Sequence, residues 1–230
     1  MTVLTQQFPD IQSRFGGLDG AELIAAIVAS FPNDVAVVSS FGAESAVLLD
    51  LVAQVDQSLP VIFLDTDALF DETVEYQKTL TAHLGLTDVR IIRPRAESLR
   101  LADELWRTDP DHCCHLRKVE PLHTAVLGFA ILIDGRKRFH GGGRDEISPI
   151  ELDADGIIKL SPLARWSQAA IDAAFTDRGL PRHPLVAQGY RSIGCWPCSR
   201  PTLPGEPVRA GRWAGGAKTE CGIHKVKKTS

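Results

Sequence analysis

The feature that constrains the fold of this chain most strongly is the alternation of short apolar segments with segments of helical periodicity. Three runs of apolar residues predict strands that are buried on both faces: Val35–Val38, Val61–Leu64 and Val89–Ile92. Helices are predicted before, between and after these strands, at about residues 18–31, 47–55, 71–84 and 96–106. Asp19 is expected to cap the first helix and Gly85 to end the third. This alternation is typical of an α/β fold with a mainly parallel sheet flanked by helices.

The pattern continues to about residue 178 and then changes. A helical stretch is expected up to Leu127, followed by strands at Phe129–Ile133 and Ile157–Leu160 and by a helix capped by Ser167. From Gly179 onward, glycine and proline dominate, and periodicity is lost. We therefore expect an α/β domain over residues 1–178, and a loop-rich C-terminal segment over residues 179–230 that belongs to the same domain.

Composition excludes several classes of protein. The hydrophobic fraction of 44% is enough for a full core, and the formal net charge of −4 argues against a nucleic-acid-binding role. No apolar run is long enough to span a membrane, and residues 1–10 lack the features of a secretory signal. We expect a cytoplasmic protein without nucleic-acid or membrane partners. Whether it forms a homo-oligomer is left open.

Four of the five cysteines come in two pairs, Cys113-Cys114 and Cys195-x-x-Cys198. In a cytoplasmic chain such pairs suggest metal binding or redox chemistry rather than structural disulfides. Adjacent cysteines are poorly arranged for a single zinc ion, because neighbouring side chains diverge, but they could ligate different irons of a cluster. An iron–sulfur cluster is therefore the first hypothesis, a zinc site the second and a dithiol redox pair the third. Buried unreactive thiols remain the plain alternative.

The fifth cysteine, Cys221, stands near the C-terminus. It could be an ordinary free thiol, but His224, Lys218 and Lys225 are expected to place positive charge around it, which favours a reactive thiolate. A loop-rich segment would also let this thiol reach both a substrate and a protein reductant. Cys221 is therefore a candidate nucleophile.

Polar loops follow several of the predicted strands, where α/β folds bind ligands. Ser39–Ser45 follows the first strand and Asp65–Asp67 follows the second, although either could be a plain turn or a helix cap. The basic, glycine-rich loop of residues 134–144 suits phosphate binding. Arg209 and Arg212, between the Cys-x-x-Cys and Cys221, could clamp an anion.

Taken together, these motifs resemble the assimilatory adenylyl-sulfate and phosphoadenylyl-sulfate reductase family over about residues 35–224. The resemblance rests on Ser39–Glu44, Leu64–Thr66, Cys113–Leu122, Gln188–Cys198, Arg209–Trp213 and Glu220–His224. It implies a Rossmann-like adenine-nucleotide-binding fold. The two cysteine pairs mark the branch that carries a 4Fe–4S cluster and prefers adenylyl sulfate.

The resemblance also implies a reaction and residue roles. The reaction would be the thioredoxin-dependent reduction of adenylyl sulfate to sulfite and AMP in sulfate assimilation and cysteine biosynthesis, through an S-sulfocysteine on Cys221. The oxidoreductase would take its electrons from thioredoxin or glutaredoxin. The implied cluster ligands are Cys113, Cys114, Cys195 and Cys198, and the implied catalytic residues are Cys221, Lys118 and His224. The implied substrate-binding residues are Ser39, Ser40, Phe41, Gly42, Asp65, Thr66, Arg144, Arg209 and Arg212.

The chain departs from the family pattern in three places. Asp67 stands where the family usually has Gly, residues 134–141 differ from the usual Thr-Gly-x-Arg-Arg loop, and Ala214–Gly216 replaces a tryptophan run. Other readings stay open: a phosphoadenylyl-sulfate reductase, a tRNA-thiolation enzyme with a cluster, or a non-catalytic metal sensor. The loop Ser40-Phe41-Gly42-Ala43-Glu44-Ser45 and the negative charge argue against the tRNA enzyme.

Overall fold

The computed structural model describes residues 3–224, and their side chains from residue 6 onward. Within this range six strands form one sheet in the order β3-β2-β1-β4-β6-β5. The first five in that order run parallel, whereas β5 pairs antiparallel with β6 at the edge. The strands are β1 Val35–Ser39, β2 Val61–Leu64, β3 Val89–Ile92, β4 Ile131–Ile133, β5 Ile150–Leu152 and β6 Ile158–Leu160. The predicted mainly parallel α/β fold is confirmed.

Helices cover the sheet on both faces. The α-helices are α1 Val3–Phe15, α2 Gly20–Ser30, α3 Ser45–Val55, α4 Asp71–Leu84, α5 Ala96–Leu101, α6 Leu105–Thr108, α7 Pro110–Cys114, α8 Glu120–Ala125 and α9 Gln168–Asp177. A π-helical turn, His115–Val119, joins α7 to α8, and short 3-10 turns lie at Arg138–His140, Pro184–Gln188 and Trp196–Cys198. Among the described helices, none combines the length and the apolar character needed to cross a membrane.

Alternate residues of the strands pack into two separate apolar cores. On one face, Val37, Phe63 and Ile133 pack with the large core formed by helices α1 to α4 and α9. On the other face, Ala36, Ile62 and Leu132 pack with Leu122 and Val126 from α8 and the turn after it. Burying a large aliphatic side chain stabilises the fold by roughly 1.5–3 kcal/mol, so both faces contribute substantially.

A residue far along the chain completes the second core. Ile223, close to the end of the described residues, packs against the cluster formed by Ala36, Ile62, Leu132 and α8. The C-terminal segment is therefore not an appendage on the surface: it covers part of the sheet. The segment itself consists of turns and short 3-10 helices, and it is held together partly by an isolated bridge between Ser199 and Arg212.

Some local expectations fail for identifiable reasons. Helix α1 and the edge strand β5 were not predicted. The helix expected over residues 96–106 breaks after Leu101, because Glu104 adopts a left-handed conformation with φ of 56°. Asp19 stands at the N-cap of α2 but makes no side-chain hydrogen bond there, so its predicted capping is wrong. Gly85 ends α4 in the left-handed conformation, as predicted.

Candidate active site

A cavity of about 180 Å³ lies at the carboxyl ends of the central strands. We call it the strand-end cavity. Its walls come from the loops after β1, β2 and β4 and from the C-terminal segment. Of the predicted site residues, those that line it are Ser39, Ser40, Gly42, Thr66, Lys118, Arg144, Arg209, Arg212, Cys221 and His224. Thus residues from distant parts of the sequence meet at one place, where parallel sheets present their loops.

The loop after β1 is held by its own serines. The Ser39 hydroxyl accepts from the Phe41 amide at 3.2 Å, and the Ser45 hydroxyl accepts from the Gly42 amide at 2.8 Å. Phe41 takes a positive φ of 46°, yet its side chain is fully buried and packs edge-on against Phe63. Phe41 is not among the residues lining the cavity, and its buried ring supports the loop from below.

The two predicted site residues of the loop after β2, Asp65 and Thr66, make different contacts. Asp65 lines neither of the cavities described here: its carboxylate accepts from Arg93 at 2.8 Å and from the Asp67 amide at 3.2 Å. The Thr66 hydroxyl is buried and lies 3.2 Å from the sulfur of Cys195. Thr66 therefore links this loop to the Cys-x-x-Cys segment, whereas Asp65 shapes the turn.

Two of the cations in the loop after β4 are occupied by carboxylates. Arg136 donates to Asp134 at 2.7 Å and to Glu151 at 2.9 Å. The ammonium of Lys137 lies 2.9 Å from Glu44. Arg144, the third cation of this loop that lines the strand-end cavity, pairs with Glu220 of the C-terminal segment. The phosphate-binding role of residues 134–144 stays a prediction.

Glu44 is buried in this network. It also contacts His140 at 2.9 Å, and Gln168 donates to it at 3.0 Å. Burial alone would raise the pKa of Glu44, but the His140 hydrogen bond and the Lys137 charge outweigh it and lower the pKa to about 2. Glu44 is therefore an ionised carboxylate on the cavity wall, where it holds Lys137.

Residues 218–224, which we call the docked tail, are held in the strand-end cavity by several contacts. Lys159 donates to the Ile223 carbonyl at 3.2 Å, and Arg209 donates to the Thr219 carbonyl at 2.6 Å. Gly222 has a positive φ of 88°, and a Cβ there would come within 3.2 Å of Val119. These contacts leave Cys221 half-buried on the cavity wall.

The surroundings of Cys221 differ from expectation in one respect. Burial lowers the pKa of His224 to about 3, even though its Nδ1 lies 3.6 Å from Asp134. The imidazole is therefore neutral, and the prediction that His224 supplies positive charge is wrong. Lys218 does carry charge, but it pairs with Asp111 and lies over the Trp213 ring at 5.5 Å. Lys225 lies outside the described residues.

The four paired cysteines line a second cavity of about 260 Å³, the cysteine cavity. Cys113, Cys114 and Cys195 are buried and Cys198 is half-buried. Burial raises the pKa of Cys114 to about 11. Among residues 3–224, no group of three or more His, Cys, Asp or Glu side chains is arranged around a single ion.

The donor set and the size of the cysteine cavity fit a polynuclear cluster. Four cysteines line this space, which is well above the roughly 10–15 Å³ that a single water molecule needs. The buried Nε1 of Trp213, on the same wall, has no hydrogen-bond partner within the described part of the chain. Cysteine sulfurs are the ligands that iron–sulfur clusters take, and an unused N–H donor such as that of Trp213 suits an outer hydrogen bond to such a group.

Lys118 lies in the wall shared by the two cavities. Burial alone would lower its pKa, but the thiolate forms of Cys195 and Cys221 outweigh burial and raise it. In turn, burial alone would raise the pKa of Cys195, whereas the Lys118 charge and the Thr66 hydrogen bond lower it. One ammonium group thus faces sulfur in both cavities.

Arg212 is held against the Cys-x-x-Cys segment by its neighbours. Its Nε donates to the Cys198 carbonyl at 3.2 Å, and its guanidinium lies over Trp213 at 4.5 Å from the ring centre. A Cβ at position 194 would lie only 2.3 Å from this guanidinium, so Gly194 makes the close approach possible. Gly194 and Trp213 are site residues that the sequence interpretation did not single out.

The sequence interpretation did not identify the carboxylates that form ion pairs with the arginines of the site. One oxygen of Glu220 accepts a hydrogen bond from Arg144 at 2.9 Å, and the same carboxylate lies 3.5 Å from Arg209. Asp134 forms an ion pair with Arg136. No local pattern marks such partners, because Arg144 and Glu220 are 76 residues apart in the sequence.

Comparison with known proteins agrees with this geometry. Residues 34–201 match the model of the phosphoadenosine phosphosulfate reductase domain. The chain is 45% identical over 220 residues to an adenosine 5'-phosphosulfate reductase from Chelativorans sp. (strain BNC1), covering 94% of this chain and 89% of that protein. A Mesorhizobium japonicum protein of the same name is 44% identical over 218 residues, covering 93% and 85%.

A solved structure shares the fold of most of this chain. The crystal structure of phosphoadenylyl-sulfate reductase from Candida auris, in a phosphate complex, superposes with a TM-score of 0.72 at 27% sequence identity. The match covers 85% of this chain and 97% of that one. This chain therefore has the same fold as that protein over most of its length.

Proposed function

Because the chain belongs to the phosphoadenosine phosphosulfate reductase family, we propose that it reduces adenylyl sulfate to sulfite and AMP with electrons from a thioredoxin-type dithiol. It is an oxidoreductase that acts on sulfur. We place it in the cytoplasm, where such dithiols are kept reduced, and in sulfate assimilation leading to cysteine. The observation that carries the proposal is the position of Cys221 among cations at the strand ends.

The strand-end cavity supplies the groups that a phosphosulfate needs. Arg144, Arg209, Arg212 and Lys118 offer guanidinium and ammonium donors around one space, and guanidinium groups bind phosphate and sulfate oxygens through paired hydrogen bonds. Ser39 and Ser40 at the end of β1 provide hydroxyl groups for the nucleotide, next to Gly42, which lines the same cavity.

The chemistry then follows from the nucleophile. The Cys221 thiolate attacks the sulfur of adenylyl sulfate, an S–S bond forms, and the bond from sulfur to the phosphate oxygen breaks. AMP leaves with the electron pair of that bond, and the arginines stabilise the charge that develops on its phosphate. Cys221 is left as S-sulfocysteine.

The second half-reaction needs an external dithiol. One thiolate of a thioredoxin or glutaredoxin attacks the Cys221 sulfur, sulfite departs, and a mixed disulfide forms. The second thiol of the reductant resolves this disulfide and restores the Cys221 thiolate. The reductant loses two electrons as a new disulfide, and the sulfonate sulfur gains them as sulfite.

We propose that Cys113, Cys114, Cys195 and Cys198 hold a 4Fe–4S cluster. When bound, the cluster supplies a fixed cross-link and a local charge next to Lys118, and metal binding adds directly to the stability of a segment that is rich in loops. Lys118 then connects the two cavities electrostatically, since it faces sulfur in both. The substrate reaction needs no change in the cluster's oxidation state.

Phosphoadenylyl sulfate is the alternative substrate, because the matched domain and the Candida auris protein are named for it. That substrate differs by a 3'-phosphate. The paired cysteines favour adenylyl sulfate. The ratio of kcat/KM for the two nucleotides, measured with the same reductant, decides between them.

Intact-protein mass spectrometry tests the proposed reaction. Anaerobically purified holoenzyme is incubated with adenylyl sulfate and no reductant, beside a Cys221→Ser variant. We expect the wild-type chain to gain one SO3 group, the variant to gain none, and thioredoxin to remove the adduct with release of sulfite. Absence of an adduct in cluster-loaded wild-type protein would reject the reductase and favour a non-catalytic metal sensor or a tRNA-thiolation enzyme.

A further inference from the structure

Two arginines from separate loops converge on one carboxylate of the docked tail. Arg144 binds Glu220 with two nitrogens, and the second of these contacts measures 2.9 Å. The guanidinium of Arg209 lies 3.5 Å from the same carboxylate. The three side chains are mostly shielded from solvent, with exposed fractions of 10%, 14% and 17% for Arg144, Arg209 and Glu220.

This arrangement needs an anion between the arginines. Two guanidinium groups held close together in a shielded site repel each other, and a shared carboxylate offsets that repulsion. Glu220 supplies the negative charge here. Both arginines also line the strand-end cavity, and Cys221 is the next residue along the tail.

We propose that Glu220 is an internal competitor for the anion site formed by Arg144 and Arg209, and that it closes the tail over the cavity until the phosphosulfate of the substrate displaces it. This inference rests on the proposed function. The phosphosulfate group carries more negative charge than a carboxylate and can take both guanidinium groups. Once displaced, Glu220 no longer ties Cys221 to one position, so the nucleophile can adjust to the sulfur it attacks.

The exchange predicts that Glu220 lowers the apparent affinity for anions. A binding site that is partly occupied by its own chain binds a ligand more weakly by the fraction of time that it is closed. A purely structural role for Glu220 would predict no such effect, because removing it would loosen the tail without improving anion binding.

Isothermal titration calorimetry of the cluster-loaded full chain measures this effect. All proteins carry Cys221→Ser to prevent reaction, and Glu220→Gln is compared with the parent. The titrants are adenylyl sulfate, AMP and inorganic sulfate. We expect Glu220→Gln to tighten binding of adenylyl sulfate and of inorganic sulfate by about fivefold or more, a coupling of ordinary size. Unchanged or weaker binding of both would overturn the proposal.

Glu146→Gln is the matched control, since it removes one negative charge from an exposed residue near Arg144. We expect its affinities to equal those of the parent. A similar tightening in Glu146→Gln would mean that general charge, not occupancy of the site, is responsible, and it would also overturn the proposal.

Alkylation of Cys221 gives a second readout that does not depend on turnover. With Cys221 intact, iodoacetamide labelling is followed by peptide mass spectrometry. We expect Glu220→Gln to label several-fold faster than wild type, and inorganic sulfate to accelerate labelling of wild type at constant ionic strength. Equal rates in both proteins, or protection by sulfate, would contradict an exchange at this site.

These experiments separate failure of the exchange from failure of the proposed function. If the SO3 adduct never forms but Glu220→Gln tightens sulfate binding and exposes Cys221, the exchange holds and the reductase assignment falls. If the adduct forms normally and the affinities do not change, the reductase assignment holds and the exchange falls.

Discussion

His224 Nδ1 lies 3.6 Å from the carboxylate of Asp134, and this relationship joins the end of the described chain to the end of β4. The Asp134 carboxylate also accepts hydrogen bonds from Arg136 at 2.7 Å and from the Ser161 hydroxyl at 2.8 Å. Burial alone would raise the pKa of Asp134, but the charge of Arg136 outweighs it and lowers the pKa to about 2. One buried carboxylate thus links Arg136 of the β4 loop to Ser161 after β6, and His224 of the tail packs beside it.

Asp134→Asn should destabilise the protein by about 3 kcal/mol, because it leaves the buried Arg136 with only Glu151 as a charged partner. Urea unfolding followed by circular dichroism measures the free energy. Asp155→Asn, at an exposed turn, is the control and should change the free energy of unfolding by less than about 0.5 kcal/mol. A loss as small as the control's would contradict this role of the Asp134 carboxylate.

Stability should fall in mild acid partly because of His183. Its Nδ1 accepts from the Leu185 amide at 3.2 Å and its Nε2 lies 3.0 Å from the Thr73 hydroxyl, so the neutral ring fits. Burial lowers its pKa from 6.5 to about 4. The unfolded chain therefore binds the proton first, and stability present above pH 6.5 is lost as the pH falls towards 4.

We expect His183 to account for a loss of about 1–2 kcal/mol between pH 7 and pH 5. His183→Asn keeps an acceptor for the Leu185 amide and removes the titrating ring. The free energy of unfolding of this variant should depend less on pH over that interval. His123→Asn, at an exposed position, should retain the wild-type pH dependence. Equal slopes for wild type and His183→Asn would contradict the assignment.

Cys195→Ser should lower the content of iron and acid-labile sulfide in protein purified without oxygen, because the serine hydroxyl is a poor replacement for a thiolate ligand. Cys221→Ser is the matched control: it removes a cysteine from the other cavity and should leave the iron content and the visible absorption unchanged. Full iron content in Cys195→Ser would reject the proposed ligand set.

Gly194→Ala tests the position of Arg212 without removing that residue. The new methyl group would lie 2.3 Å from the guanidinium, which must move away from the Cys-x-x-Cys segment. We expect kcat/KM for adenylyl sulfate to fall about tenfold, or roughly 1.4 kcal/mol, with little change in the free energy of unfolding. Iron content is measured alongside, to separate an effect on the cluster.

Gly17→Ala provides the matched comparison, since nothing lies within 4 Å of a Cβ there. Its kcat/KM should equal that of wild type. If Gly194→Ala also keeps the wild-type value, the placement of Arg212 against Cys198 does not matter for the reaction.

The central strands could be predicted from the sequence because each is marked by its own short apolar run. The apolar runs Val61–Leu64 and Val89–Ile92 became strands with those bounds, and α4 spans Asp71–Leu84 as expected. The edge strand β5, Ile150–Leu152, was not predicted because its middle residue is a glutamate and its strand conformation depends on antiparallel pairing with β6. Helix α1 has Pro9 within it and no acidic residue in its first turn, so start signals were weak.

In the candidate site, too, features marked by local motifs could be predicted, whereas properties that depend on the folded environment could not. The cysteine pairs, Cys221 and the arginines could be chosen from their motifs, and the structure brings them to two adjoining cavities. Predictions failed where burial decides the chemistry. His224 looked like a source of charge, but burial keeps it neutral. Asp65 and Phe41, implied as substrate contacts by the resemblance, do not line the strand-end cavity, and their substrate-binding role stays a prediction.

The packing of Ile223 against the second core has a practical consequence for anyone shortening this chain. Ile223 covers apolar side chains on the sheet and on α8, including Ile62 and Leu122. A truncated chain that ends before the tail would lose Cys221, the proposed nucleophile, and would also expose this apolar surface to solvent, which favours aggregation. Cys221→Ser in the untruncated 230-residue chain, which exchanges one sulfur for oxygen and keeps Ile223 in place, is therefore the better reference for the proposed reaction.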